Sequence, residues 1–334
     1  MALLVMRHDF RAPAFGPTSI PDMYAAAIEQ CRWADQQGWD VLAVPEHHGI
    51  DDGWLPAPIT MAGVLLAATK SARVLVSAAI IPLHDPVRLA EQIAVLDNVA
   101  PGRLWVVVGA GYWVSEFAMA DVPLKGRGRL LEEYVEVMLK AWTGEPFEWR
   151  GREIVVHPVP ATKPHPVFLI GGGAEVAARR AARLRLPMLP MHDDPQLQVW
   201  YDDEAAKTGF TGGMVMSPSG PTFVHCTDDP EKSWAEIAPY LLYEAQTYAE
   251  RQPSGQRSLP LVRAENMDDL KKSKQILVGT PDEILAVAAT VSELGSLTFN
   301  PLCGGIPPDI AWKSLEMFAA KCQPKLTGRT ALPI

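Results

Sequence analysis

The chain has 334 residues, 48% hydrophobic and 21% charged, with a net charge of −9 at pH 7; that suits a globular protein with a real core, and one α/β barrel can reach this size. The acidic balance, with no long basic run, argues against nucleic acid or an anionic membrane surface as the partner. Cys31, Cys226, Cys303 and Cys322 form no C-x-x-C pair and fit reduced thiols in a cytoplasmic protein, while MALLVMRH is too short an apolar segment for a signal peptide and no later stretch spans a bilayer.

One rhythm runs along the sequence: a short apolar β run, a polar loop, then a segment with helical spacing. ALLVM (2–6) precedes a helix at 23–38, DVLAV (40–44) one at 58–69, and RVLVSAAIIPL (73–83) one at 86–100. RLWVVVG (103–109) leads to a helix at 129–142. A polar, hairpin-like stretch, FEWRGREIVVHPVP (147–160), then intervenes before VFLI (167–170) and its helix at 174–184. LPMLPM (186–191) precedes a weaker helix near 195–207, and PTFVHCT (221–227) precedes one at 230–250. A helix at 281–295, the strand SLTFN (296–300) and a helix at 308–323 close the series.

The strands are continuous apolar runs, the pattern of a parallel sheet covered by helices. Eight of them with helices between predict an α/β fold, a (β/α)8 TIM barrel with insertions, with an open doubly wound sheet as the rival. A single domain is expected over 1–326, with insertions at about 145–166 and 251–278 and a tail at 327–334. The second insertion is polar, weakly periodic and long enough to serve as a lid.

In a barrel the active site gathers at the C-terminal strand ends. Here those ends carry Arg7 and His8, then Glu46, His47 and His48, then Pro82 and His84, and then Gly109 to Tyr112. Gly171 to Gly173, His192 with Asp193, His225 and Asn300 follow, so six of the eight histidines lie at or just past a strand end. No metal centre is expected. Glu46, His47 and His48 are consecutive, neighbours on extended backbone point to opposite sides, and no H-E-x-x-H, paired-cysteine or EF-hand spacing is present. Histidine at a barrel mouth suits acid–base work; solvated or structurally bonded loop histidines are the plainer alternative.

LIGGGAEVAARRAARL runs from a strand through three glycines into a helix, which can present backbone N–H groups and a helix N-terminus to an anion. The same residues also make an ordinary βα turn. Arg179 and Arg183 share a helix face there, either toward the anion or in solvent. RLWVVVGAGYW ends a strand in G-x-G beside Tyr112 and Trp113, leaving space for a flat ligand or for packed aromatics. The small pair Ala78 and Ala79 leaves room for a ring system or for close helix packing.

In their order and spacing, the stretches VPEHHG, SAAIIPLHDPVRLAEQIAVLDNVAPGRL, GAGYWVSEF, RLLEEYVEVMLKAWTGE, HPVFLIGGGAEVAARRAARL and TFNPLCGGIPPDIAWKSLEMFA resemble the bacterial luciferase-like flavin monooxygenase family. The resemblance covers about residues 1–326. It implies a TIM barrel holding reduced flavin at the strand C-termini, with the ring over the third and fourth strand ends beside Gly109, Gly111 and Tyr112. It also implies a non-proline cis peptide at Ala78 and Ala79, His47 as the catalytic histidine and Glu46 as its acidic partner. Gly171, Gly172, Gly173 and Ala174 would wrap the flavin phosphate, joined by Arg129 or, with a shifted gap, Arg127.

Two departures limit the resemblance. Luciferase carries cysteine and arginine where this chain has Gly109 and Ala110, which argues against light emission. The F420-using sugar-phosphate dehydrogenases carry a glutamate where Tyr112 stands, which argues against that reaction. Arg179, Arg180, Arg183 and Arg185 nevertheless keep F420, with its longer anionic tail, as an option.

The expectation is therefore an enzyme: a monooxygenase using O2 and reduced FMN on a hydrophobic organic substrate. No Rossmann fingerprint is evident, so a separate reductase would supply the flavin. His47 would govern proton transfer with Glu46 orienting it. Asp51 and Asp52 read as solvated loop residues, and Trp54, Tyr112, Trp113 and Met191 as the lining of an apolar pocket. The alternatives are an F420-dependent reductase or dehydrogenase transferring a hydride, and a non-catalytic flavin-binding partner subunit. The resemblance also implies a homodimer, for which PITMAGVLLAAT and VRLAEQIAVL are apolar enough.

Overall fold

The computed structural model describes residues 2–251, 264–292 and 295–326. The stretch 252–263 of the expected lid and the expected tail at 327–334 lie outside them. In chain order the strands are β1 (Leu3–Arg7), β2 (Val41–Val44), β3 (Arg73–Ile80), β4 (Leu104–Gly109), β5 (Phe147–Trp149), β6 (Arg152–Ile154), β7 (Val167–Gly172), β8 (Met188–Pro190), β9 (Phe223–Cys226), β10 (Ile276–Gly279) and β11 (Ser296–Phe299). The helices are α1 (Ile20–Gln36), α2 (Pro58–Ala68), α3 (Pro86–Val99), α4 (Val114–Met119), α5 (Arg127–Ala141), α6 (Glu175–Arg183), α7 (Pro195–Thr208), α8 (Pro230–Arg251), α9 (Met267–Lys271), α10 (Pro281–Ala288) and α11 (Pro308–Lys321).

All eight expected strands form, and β5 and β6 make the expected hairpin. The main sheet is parallel and curled, in the order β11–β1–β2–β3–β4–β7–β8. Among the described residues the ladder is not the continuous eight-stranded ring expected from the sequence. β9 pairs instead with β10, a strand hidden in the polar stretch after Lys274. Among the described residues the free edge of β8 bonds to the loop at Met214 and Met216, and its last residue, Pro190, has no N–H to extend the ladder. The chain entering β9 does reach β11, since the Ser296 N–H donates to Ser219 O and the Thr298 N–H to Pro221 O.

Alternation along each strand separates two faces. Leu4, Met6, Leu42, Val44, Val74, Val76, Val106 and Phe168 join the large core under the helices. Leu3, Val5, Val41, Leu75, Trp105 and Val167 meet on the concave side. Local chemistry fixes the helix ends: the Ser19 side chain accepts the Asp22 N–H and starts α1 three residues earlier than its apolar pattern suggests. Asp85 and Asp194 cap α3 and α7, and Thr280 with Glu283 forms a capping box on α10, which ends at Ala288 rather than running on to 295.

Candidate active site

At the C-terminal edge of the sheet the central strands are no longer covered. Ser77 is exposed although β3 lies between two strands, and Ala78 and Gly109 to Tyr112 are partly exposed beside it. The strand ends therefore open on a cleft. A cis peptide lies at Ser77–Ala78, one bond before the expected Ala78–Ala79, where the register of β3 against β4 shifts. The neighbouring glycines permit close approach. A Cβ on Gly109 would stand 3.3 Å from the Ala78 Cβ, and one on Gly111, whose φ is +69°, would come within 2.6 Å of Ile80. Ala79 is buried behind them.

His47 follows β2, and its ring is enclosed. Trp113 stacks on it with centroids 4.1 Å apart, and Trp54 lies at 4.3 Å. The Nδ1 atom is 3.1 Å from Glu116 Oε1 and Nε2 is 3.2 Å from the Tyr248 hydroxyl. An ionised carboxylate only accepts, so these partners assign the proton to Nδ1 and leave Nε2 to accept from Tyr248. Burial pushes the His47 pKa down despite the opposing pull of Glu116, and it pushes the Tyr248 hydroxyl up. A neutral imidazole thus faces a protonated phenol.

Glu46 does not orient His47. Its Oε1 accepts from Nε2 of His48 (2.8 Å) and of His84 (2.7 Å), and its Oε2 accepts the Ile80 N–H (2.7 Å). Burial opposes the charge, but the hydrogen bonds from His48, His84 and Ile80 hold the carboxyl down at about 2; the same contact with Glu46 raises His48. The correction has a simple cause. Alternate residues of extended chain share a side, so Glu46 goes with His48 while His47 turns toward α4 and Glu116.

Asp52 is also not the solvated residue expected, although Asp51 is exposed. Asp52 is buried and accepts from Arg11 Nε (2.5 Å), the Tyr243 hydroxyl (2.9 Å) and the Trp54 N–H (3.0 Å). Arg11 pairs in addition with Glu244, donates to Thr247 Oγ1 at 3.0 Å, and lies over the rings of Trp54 and Tyr243 at 4.0 and 4.3 Å. This network ties the loops after β1 and β2 to α8 behind the Trp54 wall. Asp9, Glu244 and Cys303 bring potential ligand atoms within 4.8 Å of one another. Arg11 already neutralises Glu244 there, and the Asp9 oxygens accept the N–H groups of Arg11 and Gly304.

Across the cleft, Gly171 and Gly172 end β7, and Gly173 leads to Ala174 before α6. A Cβ on Gly171 would stand 3.2 Å from Val108 O, and Gly172 has a φ of +127°. Ala174 gives α6 no side-chain cap, so its first N–H groups are left for another acceptor. Arg129, in the first turn of α5, is exposed, and its side chain makes no hydrogen bond or ion pair among the described residues. Arg127 is occupied: its Nε donates to Gly111 O at 2.8 Å. Arg179 pairs with Glu175, Arg180 with Glu132, and Arg183 with Glu132 and Glu204.

His47, His48, His84, Gly109, Gly111 and the half-buried Tyr112 thus gather at the β2–β4 ends. His8 and His225 instead lie buried, where desolvation pushes them to about 3 and 4. Trp54 and Trp113 are fully buried against His47, while Met191 is exposed. Glu116, Tyr248 and the Arg11 network escape the sequence pattern. Only Glu116 leaves a signal, as the acidic residue of the short helix that GAGYWVSEF opens.

A curled parallel sheet with a histidine held among aromatic rings at its strand ends defines the class of protein. The chain belongs to the luciferase-like monooxygenase family, whose sequence profile matches residues 6–298. It is 28% identical over 177 residues to the alkanal monooxygenase beta chain of Vibrio harveyi, covering 51% of this chain and 54% of that protein. It is also 28% identical over 190 residues to the FMNH2-dependent dimethylsulfone monooxygenase of Pseudomonas putida, covering 54% and 52%. The matches span about half the length of these curated relatives. The oxygenating constituent of 3,6-diketocamphane monooxygenase from Pseudomonas putida, solved with FMN, shares the fold with a TM-score of 0.70 at 18% identity, over 97% of this chain and 99% of that one. No helix among the described residues is long and apolar enough to cross a membrane.

Proposed function

We propose that the protein is a flavin-dependent monooxygenase that uses reduced FMN and O2 on an organic substrate. One observation carries this reading: neutral His47, boxed by Trp54, Trp113 and Tyr248 and held by Glu116, at the edge of a cleft floored by Ala78, Gly109 and Gly111. The residues fit a flavin. Gly109 and Gly111 keep the floor free of side chains where a Cβ would crowd Ala78 and Ile80. The uncapped N-terminus of α6, Gly171 to Ala174 and Arg129 together suit its phosphate. The FMN in the Pseudomonas structure and the FMNH2 dependence of the dimethylsulfone relative support the choice. F420 is less well served, since Arg179, Arg180 and Arg183 are committed to carboxylates.

When bound, reduced flavin supplies the electrons and the reaction with O2. The chain would supply position, dryness and proton control. His47 Nε2 takes or returns a proton through the Tyr248 hydroxyl, and Glu116 stabilises the imidazolium that results. Trp54 and Trp113 keep water from the ring. Glu46 fixes the end of β3 through the Ile80 N–H. Closure of the sheet into a barrel through β9, a separate reductase as flavin source, and a homodimer using the exposed Val64, Val95 and Val99 of α2 and α3 belong to the same proposal. To test it, an anaerobic mixture of protein and reduced FMN is mixed with O2, and flavin reoxidation is followed by absorbance. The protein should change the time course from that of free flavin, and His47→Asn should change it again. Identical traces with and without protein would sink the proposal.

A further inference from the structure

Arg7 ends β1, and the alternation of that strand puts it on the concave face with Leu3 and Val5. A cation next to that apolar layer is costly unless something meets it. Arg7 is half-buried, yet among the described residues its side chain makes no hydrogen bond and no ion pair. The two carboxylates whose charge reaches it, Glu244 and Asp9, are engaged elsewhere. Both Asp9 oxygens accept backbone N–H groups, and one oxygen of Glu244 is held by Arg11. The Arg7 charge acts on Tyr248, Glu244, Cys303 and Asp9 and is felt at His47 and Tyr112. Arg7 stands in register with Ala43 of β2, the strand that leads into His47, so a fork of N–H donors lies at this strand end with no acceptor among the described residues.

We propose that Arg7 anchors a carboxylate of the substrate, so that the substrate is an organic acid whose reacting part is carried to the Tyr248–His47 pair. The planar guanidinium matches a carboxylate with two parallel hydrogen bonds, which fixes orientation as well as affinity. The claim that this acid is the substrate rests on the proposed function; anion binding at Arg7 does not. The competing arrangement uses the second oxygen of Glu244, which is buried and has no partner among the described residues. A water bridging it to Arg7 would leave the guanidinium nothing to offer a ligand.

Octanoate and octanamide, equal in length and different in charge, separate the two arrangements. Each is titrated calorimetrically into the full chain, first alone and then with reduced FMN under anaerobic conditions. Octanoate should bind about 10-fold more tightly or better. The preference should vanish in Arg7→Met and persist, weakened, in Arg7→Lys, with FMN affinity unchanged and the thermal midpoint of Arg7→Met not lowered. Equal or undetectable binding of the two ligands, a preference that survives in Arg7→Met, or a loss confined to FMN affinity would each overturn the anchor. A wild-type preference for octanoate without any FMN binding would keep the anchor and end the flavin assignment. FMN binding without the preference would do the reverse.

Discussion

His8 offers a test of the interior through pH. Its backbone N–H donates to Ala43 O at 3.0 Å, while its ring lies fully buried and edge-on to Phe10 at 6.1 Å. Neither ring nitrogen has a partner among the described residues, and burial pushes its pKa from 6.5 to about 3. A histidine depressed in the fold gives stability that is present above 6.5 and lost as pH falls from there toward 3, because the unfolded chain takes the proton first. At about pH 5 the unfolded imidazole lies about 1.5 units below its pKa, which costs the fold about 2 kcal/mol at 1.36 kcal/mol per unit. His8→Leu removes this cost together with two unpaired polar atoms. The variant should be at least as stable as wild type near pH 7.5 and gain about 2 kcal/mol on it near pH 5.

Urea unfolding followed by tryptophan fluorescence at the two pH values reads the difference directly. Comparing variant with parent cancels Asp9, whose pKa, raised to about 7 by burial and by Glu244, works in the opposite direction. If the two proteins lose stability in parallel between the two pH values, His8 is not held neutral by burial and the reasoning fails.

Arg11→Met should cost roughly 3–5 kcal/mol in the same assay, because it leaves the buried carboxylates of Asp52 and Glu244 without their cation; a loss under about 1 kcal/mol would contradict the network. Glu116→Gln should lower the His47 pKa further, seen as a shifted NMR titration of its ring, since a neutral amide no longer favours the imidazolium. Gly111→Ala should destabilise by about 1–3 kcal/mol, as its Cβ would meet Ile80 and Phe117 in a left-handed conformation. Gly151→Ala, left-handed but with open space around it, should cost less in denaturant.

The strands were legible because each is a continuous apolar run. β10 was not, since four residues after a run of lysines give no periodicity to read. His47 stood out, but its partners lie 69 and 201 residues away, at Glu116 and Tyr248. Local pattern does not reach that far. The same distance hid the burial of Asp52, whose cation is 41 residues upstream at Arg11. Adjacency in sequence points Glu46 at His47, whereas the two-residue alternation of extended chain, itself a local rule, pairs it with His48.

The most direct test of the central claim is an anaerobic titration of the purified chain with reduced FMN and, separately, with reduced F420. Saturable binding of reduced FMN, with F420 much weaker, is the expected result. Tight binding of F420 alone would replace oxygen chemistry with hydride transfer, and binding of neither would contradict the cofactor assignment altogether.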